Sequence, residues 1–172
     1  GWTQTKLMAV GAIAQSYFGN SVDISGDHAV IGAPCDDLVS RDEGSAYVFQ
    51  RVGETWTQTK KFTARDGAQD DRFGNSVAIH EQDVIIGTYG ASLVGGDEGA
   101  AYAFHGSGFD WVLVDKLSAS DAASGDNFGT RVAIGRDYAL VGASGNPMLG
   151  AFAGTAYVFQ RCDGHWRETA KL

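Results

Sequence analysis

Carboxylates gathered in short polar segments are the side chains of this sequence whose grouping could do chemistry. Six are candidates for ligand-facing loops: Asp36, Asp37, Asp42, Glu43, Asp97 and Glu98. A second set of aspartates lies in two other polar segments: Asp66, Asp70, Asp71, Asp121 and Asp126. Such groups suit a cation, a basic ligand or a hydroxyl-rich ligand. Asp is also favoured in turns, where its side chain bonds to nearby backbone, so a structural role is the favoured interpretation and the ligand role stays open.

Other residue types give no sign of catalysis or of a bound metal. The four histidines fall at unrelated positions, 28, 80, 105 and 165, whereas metal ligands must converge. The sequence contains neither a G-x-S-x-G elbow nor a G-x-x-x-x-G-K phosphate loop. We therefore predict no catalytic residue, no metal ligand and no cofactor, and a protein that is not an enzyme.

The elements that must position the carboxylates are repeated along the chain. Two motifs recur every 55 residues, Phe-Gly at 18, 73 and 128, and Ala-Tyr-x-Phe starting at 46, 101 and 156. The tryptophans keep nearly the same period, at 2, 56, 111 and 166. A fixed period of this length is typical of a repeat protein.

Each repeat predicts four strands, which in the first copy span 18–24, 28–34, 44–51 and 56–64. The early strands are apolar or alternating, and the fourth is the most polar. Four antiparallel strands at this period are typical of a β-propeller blade, whose faces pack on neighbouring blades. A β-solenoid usually has shorter coils, and a β-sandwich is not expected to repeat so regularly. Because no segment shows a period of 3.6 residues, we expect little or no helix.

We therefore predict an all-β fold of three propeller-type four-stranded antiparallel blades plus one extra N-terminal strand. Residues 1–172 form a single repeat domain with blades at 8–64, 65–119 and 120–172. The extra outer strand at 1–7 has no blade of its own, so we expect it to pair in trans or with a neighbouring blade.

Three blades do not close a ring, because closed propellers have roughly 4–8. The outer faces of the first and third blades would be apolar and uncovered, which favours association. The expected partner is the chain itself, most simply as a dimer, or missing blades of a longer parent chain. A protein or glycan ligand stays open. Cys35 and Cys162 should lie on opposite rims two blades apart, so no disulfide is predicted within one chain.

Charge and hydropathy exclude two other kinds of partner. The chain has 13 Lys and Arg against 21 Asp and Glu, a net charge of −8, whereas nucleic-acid binding needs clustered basic charge. No apolar run approaches the ~18 residues of a membrane-spanning helix. We predict neither nucleic-acid binding nor membrane insertion.

The repeat resembles the FG-GAP repeats of integrin α-subunits and of many bacterial surface proteins. The resemblance rests on FGNSVDISGDHAVIGAP at 18–34 followed by GSAYVF at 44–49, and both motifs recur twice. It implies a propeller, typically of seven blades, that acts as a recognition platform at the cell surface or outside the cell. The segment at 61–74 is similar to bacterial members of the family.

One departure from the family affects metal binding. Many FG-GAP blades carry a D-x-D-x-D-G calcium loop in the hairpin between their first two strands. Here those hairpins are short and hold few carboxylates, as in Ser25-Gly26-Asp27, so the calcium sites are not carried over.

The expected function is a non-enzymatic recognition or scaffold module. The alternative is a carbohydrate-binding propeller that uses aromatic side chains and loop carboxylates. A hydrolytic enzyme that uses an acidic loop rim is the third interpretation, and no constellation of residues supports it.

Overall fold

The computed structural model describes residues 4–37, 39–93, 95–147 and 153–172, and they confirm the all-β prediction. The twelve strands form three four-stranded antiparallel sheets, and the described residues contain no helix. In this part of the chain, accordingly, there is no helix long and apolar enough to cross a membrane.

The sheets repeat one topology in which each strand pairs with the next along the chain. Blade 1 contains β1 (Ser21–Ser25), β2 (His28–Ala33), β3 (Ser45–Val52) and β4 (Thr55–Phe62). Blade 2 contains β5 (Ser76–His80), β6 (Asp83–Thr88), β7 (Ala100–Ser107) and β8 (Asp110–Leu117). Blade 3 contains β9 (Phe128–Ile134), β10 (Tyr138–Ala143), β11 (Thr155–Cys162) and β12 (His165–Lys171).

Short turns join the first two strands of each sheet. In blade 1 the pair Ser25 and His28 closes the ladder, and Gly26 turns the chain with a φ of 58°. Glycine adopts this left-handed conformation without strain, so the hairpin needs no ion to hold it. The first strands β1, β5 and β9 lie side by side, with the most polar strands at the opposite edge.

Both faces of β6 and of most of β7 are buried because blade 2 is stacked face to face between blades 1 and 3. We call the face toward the following blade the front face and the opposite one the rear face. One apolar cluster joins the front of blade 1 to the rear of blade 2, and a second joins blades 2 and 3. At the first joint the rings of Phe62 and Phe104 lie 4.3 Å apart. These clusters are the core, and each is shared between two sheets.

The segment before β1 covers part of the rear face of blade 1. Leu7 and Phe18 pack against a buried cluster that contains Tyr47 and Phe49. The ring centroids of Phe18 and Tyr47 are 5.5 Å apart, close to the 5.4 Å of Phe73 and Tyr102 at the next joint. The N-terminal segment thus packs as the linkers between blades do.

The prediction of an extra outer strand at 1–7 is wrong for its described part. Residues 1–3 lie outside the described residues, and residues 4–7 form no strand. A fourth strand obtains its ladder from the third strand of the same blade, as β4 does from β3. Among the described residues the N-terminal segment has no such ladder, and its backbone is held by single hydrogen bonds such as those between Val10 and the Gln58 side chain.

Candidate functional site

Two of the predicted carboxylates shape the loop between the second and third strands. Glu43 accepts the backbone N–H of Ser40 at 2.8 Å, and Glu98 accepts that of Leu93 at the same distance. The Ser40 hydroxyl also donates to Glu43, and these bonds hold the pKa of Glu43 below its ordinary value. Both side chains therefore serve their own loops.

The other predicted loop carboxylates differ in exposure. Asp37 accepts the backbone N–H of Asp42 at 2.7 Å. In blade 2 the Ser92 hydroxyl accepts the backbone N–H of Asp97 at 3.3 Å. Asp42 is half-buried beside Arg72, with 4.0 Å between the charged atoms. Asp37 and Asp97 are exposed, so they keep a carboxylate directed to solvent.

These loops also bind the linker that leads to the following blade. The N–H of Phe73 donates to the carbonyl of Glu43 at 2.8 Å, and Phe128 donates to Glu98 at 2.9 Å. Each contact is a short parallel bridge between blades. The loop and linker segments therefore lie together on one rim.

Asp36 corrects the prediction at its position, because its side chain is fully buried and does not lie on a loop surface. Its Oδ2 accepts the hydroxyls of Ser45 at 2.6 Å and Tyr47 at 2.7 Å and pairs with the Lys61 ammonium at 2.9 Å. Burial alone would raise the pKa of Asp36, but these three donors hold it below its ordinary value. The carboxylate is an internal structural group.

The same chemistry recurs in the other blades with a carboxylate from the linker. Asp66 accepts the Tyr102 hydroxyl at 2.7 Å and pairs with Lys116 at 2.6 Å. Blade 3 repeats the arrangement with Asp121, Tyr157 and Lys171 at 2.7 and 2.5 Å. In every case the ammonium lies over the tyrosine ring, 5.1 to 5.3 Å from its centroid. We call each set a Tyr–Lys–Asp triad.

Sequence reasoning missed the triads, although a signal was present. Gly11 stands in blade 1 at the repeat position of Asp66 and Asp121. Lys61 donates to the carbonyl of Gly11 at 3.0 Å, and Asp36 supplies the missing carboxylate from the loop between β2 and β3. In blade 1 the repeat has no aspartate at position 11 but has one at position 36, and this difference indicated that the carboxylate had moved.

The remaining linker aspartates are also engaged within the fold. Asp70 forms a salt bridge with Arg41 at 2.8 Å. Asp71 and Asp126 are buried, and Asp71 accepts the N–H of Ala68 at 2.8 Å. Burial raises the pKa of Asp71. The linkers therefore do not present a row of free carboxylates.

Glycines in the second strands receive a carbonyl group from the next blade. A methyl group on Gly32 would overlap the carbonyl oxygen of Gly74, and one on Gly87 would overlap that of Gly129. The same two oxygens accept hydroxyl bonds from the preceding blade, at 2.9 Å from Ser21 and 2.7 Å in the second joint. Each joint therefore contains a carbonyl seated in a glycine-lined notch.

At both ends of the three-blade stack the parts of this joint are present and meet no partner among the described residues. On blade 3 the notch glycine is Gly142, where a Cβ would find its nearest atom 3.7 Å away. On blade 1 the carbonyl belongs to Gly19, which keeps a φ of 97° against 86° and 90° at Gly74 and Gly129. Nothing lies within 4 Å of a Cβ built on Gly19.

Apolar side chains at the two ends are exposed where their counterparts are buried. On the rear of blade 1, Ile24 is 62% exposed, whereas Ile79 of blade 2 is 4% exposed. On the front of blade 3, Leu140 is 43% exposed, whereas Ile85 of blade 2 is 0% exposed. Val22 and Leu172 follow the same pattern, so the candidate interface consists of the two end faces.

Comparison with known proteins identifies the repeat. A family model described as FG-GAP repeat matches residues 2–49, 56–104 and 111–159. The chain belongs to the FG-GAP repeat family. Integrin alpha-11 of Homo sapiens is 31% identical over an alignment of 126 residues that covers 64% of this chain. The FG-GAP chain spans about 10% of the length of that relative.

A solved structure supports the propeller fold of the FG-GAP chain. The europium-containing methanol dehydrogenase aligns over 90% of this chain and 25% of its own, with a TM-score of 0.56. Sequence identity is 9%, so the likeness concerns the fold alone.

Other side chains of the FG-GAP chain are placed for packing. Among the described ranges, no group of three or more His, Cys, Asp or Glu could hold a metal ion. Trp111 and Trp166 are each 6% exposed, so neither offers an open ring face to a sugar. Cys35 and Cys162 are both free thiols.

Proposed function

We propose that the chain is a non-enzymatic recognition and scaffold segment whose propeller ring is completed by further blades of the same kind, most simply those of a second copy. The observation that carries this proposal is the pair of complementary end faces. Ile24 and Leu140 are exposed, whereas the residues at their repeat positions in the internal joints are buried or half-buried. Full burial of such a side chain contributes about 1.5–3 kcal/mol, so covering both faces is favourable.

The geometry suits a head-to-tail contact between the front of blade 3 and the rear of blade 1. Such a contact joins two different surfaces, so it closes only if the rotation per blade completes a ring. Two chains would supply six blades, within the roughly 4–8 blades of known propellers. A longer parent chain would cover the same faces with its own blades.

Family membership supports the recognition role and a location outside the cell or at its surface. The loops and linkers that gather on one rim offer exposed side chains on a rigid support, as recognition surfaces commonly do. Asp37 and Asp97 are the exposed members of the predicted ligand-facing set. We propose this rim as the recognition surface for a protein or glycan ligand.

Sedimentation velocity at micromolar concentration tests ring completion. We expect the wild-type chain to sediment as a dimer or larger particle. Ile24→Lys and Leu140→Lys place a charge on the end faces and should shift the particle toward the monomer. Val52 is 72% exposed at the end of β3 and away from both end faces, so Val52→Lys is the matched control. A folded monomeric wild type would refute ring completion by a second copy.

A further inference from the structure

In blades 1 and 3 a side chain of the fourth strand binds the backbone of the preceding linker. Among the described residues, blade 2 lacks this contact. On blade 1 the side chain of Gln58 accepts the N–H of Val10 at 2.7 Å and donates to its carbonyl at 3.2 Å. On blade 3, Glu168 accepts the N–H of Ser120 at 2.9 Å and its hydroxyl at 2.8 Å. Both side chains come from the fourth strand and cap the linker packed on the rear of their blade.

Blade 2 replaces this cap with an apolar residue. Leu113 occupies the repeat position of Gln58 and Glu168, and Arg65 occupies that of Val10 and Ser120. Leucine has no acceptor, so the N–H of Arg65 lacks the cap that both other linkers receive.

A groove of about 470 Å³ opens where this cap is missing. Its walls include Leu113, Arg65 and Trp111, and Leu113 is 44% exposed. Val112 lies beside it and is 62% exposed. An apolar wall and an uncapped backbone donor therefore face the same space.

Positive charge surrounds the groove although the chain as a whole carries −8. Lys60, Lys61 and Arg65 line it. Lys61 is held by Asp36, whereas Lys60 and Arg65 form no ion pair among the described residues. The one acidic side chain in the lining, Asp66, is neutralised by Lys116 at 2.6 Å. The local field favours an anion.

We propose that this groove binds an acidic peptide segment. A Glu or Asp carboxylate of the ligand takes the place that the Glu168 carboxylate has in blade 3, accepting the Arg65 N–H with Lys60 and the Arg65 guanidinium nearby. An apolar residue next to it packs on Leu113 and Val112. Carboxylates prefer such charge-assisted donors, and the apolar wall supplies orientation.

Titration of the ¹⁵N-labelled 172-residue chain with the peptide Ac-Gly-Leu-Glu-Leu-Gly-NH₂ tests the proposal by nuclear magnetic resonance. We expect saturable shifts of the Arg65 amide up to millimolar peptide. The matched peptide with Gln in place of Glu should bind at least tenfold more weakly.

Two variants use caps that the repeat itself contains. Leu113→Glu and Leu113→Gln should cap Arg65 from within and weaken peptide binding at least tenfold while leaving the rest of the spectrum unchanged. Glu168→Leu should open a second groove at Ser120 and add a second binding event with its own amide shifts. Undiminished binding to Leu113→Glu, or equal binding of the Glu and Gln peptides, would overturn the proposal. Equally strong binding of sodium glucuronate would overturn the peptide assignment.

Discussion

A methyl group added at each of two equivalent glycines should have opposite effects on stability. At Gly87 the methyl carbon would overlap the carbonyl oxygen of Gly129 and the hydroxyl of Ser76, within the joint of blades 2 and 3. At Gly142 its nearest neighbour would be the Arg131 carbonyl oxygen at 3.7 Å, an ordinary contact. Both positions lie within second strands, outside the left-handed region, so alanine fits either backbone.

The magnitudes follow from packing and chain entropy. Overpacking costs typically about 1–3 kcal/mol, and the upper part of that range applies to Gly87 because the obstructing atom is backbone. Replacing a strand glycine by alanine without a clash stabilises the folded chain by about 0.5–1 kcal/mol, because the unfolded chain loses conformational freedom. We therefore expect Gly87→Ala to lose about 2 kcal/mol and Gly142→Ala to gain about 0.5 kcal/mol. For a chain of this size the loss lowers Tm by roughly 4–8 °C.

Urea unfolding followed by circular dichroism measures the pair, at a concentration low enough to keep the chain unassociated. A second reading comes from sedimentation at high concentration, where Gly142→Ala should weaken association because its methyl group fills the notch. The reasoning fails if Gly142→Ala destabilises the unassociated chain as much as Gly87→Ala does. It also fails if both variants leave the urea midpoint unchanged.

Three further predictions concern buried and titrating groups. Asp36→Ala leaves the donors around that carboxylate unpaired and should lower the free energy of unfolding by about 3 kcal/mol, whereas the control Asp37→Ala should change it by less than about 1 kcal/mol. Urea midpoints compare the two variants. Equal losses would contradict the structural role of the blade 1 triad. The triad carboxyls have pKa values below their ordinary range, so their stabilisation is complete above about pH 5 and is lost as pH falls through the folded pKa. Unfolding free energies measured from pH 7 to pH 3 should therefore fall on the acid side, and a rise would contradict the assignment. Burial, together with a hydrogen bond that the thiol donates to the Asp42 carboxylate, raises the pKa of Cys35, so in a Cys162→Ser variant it should react with Ellman's reagent at pH 8 several-fold more slowly than free cysteine.

The architecture was open to sequence reasoning because its landmarks are periodic. Phe-Gly and Ala-Tyr-x-Phe mark the same two places in every blade, and alternation within GSAYVFQR implies that both faces are covered. Gly32 and Gly87 recur at the same position of the repeat, and the structure places a carbonyl of the next blade against each.

The site was less accessible to sequence reasoning because its contacts cross from one segment to another. Nothing in the order of residues shows that Asp36 is buried against Lys61, 25 positions away. The turn role that was favoured for the carboxylates holds at Glu43 and Glu98, whose partners are local backbone groups. Ion pairs such as this one depend on how the linkers pack, which the local residue pattern does not show.

In blade 1 Asp36 replaces the linker aspartate of the other two blades. This replacement limits which blades and linkers could be recombined with each other. If the segment around Gly11 were replaced by the one around Asp66, Lys61 would face two acids, one of them without a compensating cation. If the blade 1 loop were instead replaced by its blade 2 counterpart, Ala91 would stand where Asp36 does and the ammonium would have no counter-ion. A duplicated copy of blade 1 would therefore need its own preceding linker, whereas blades 2 and 3 could exchange linkers because both use the same linker aspartate.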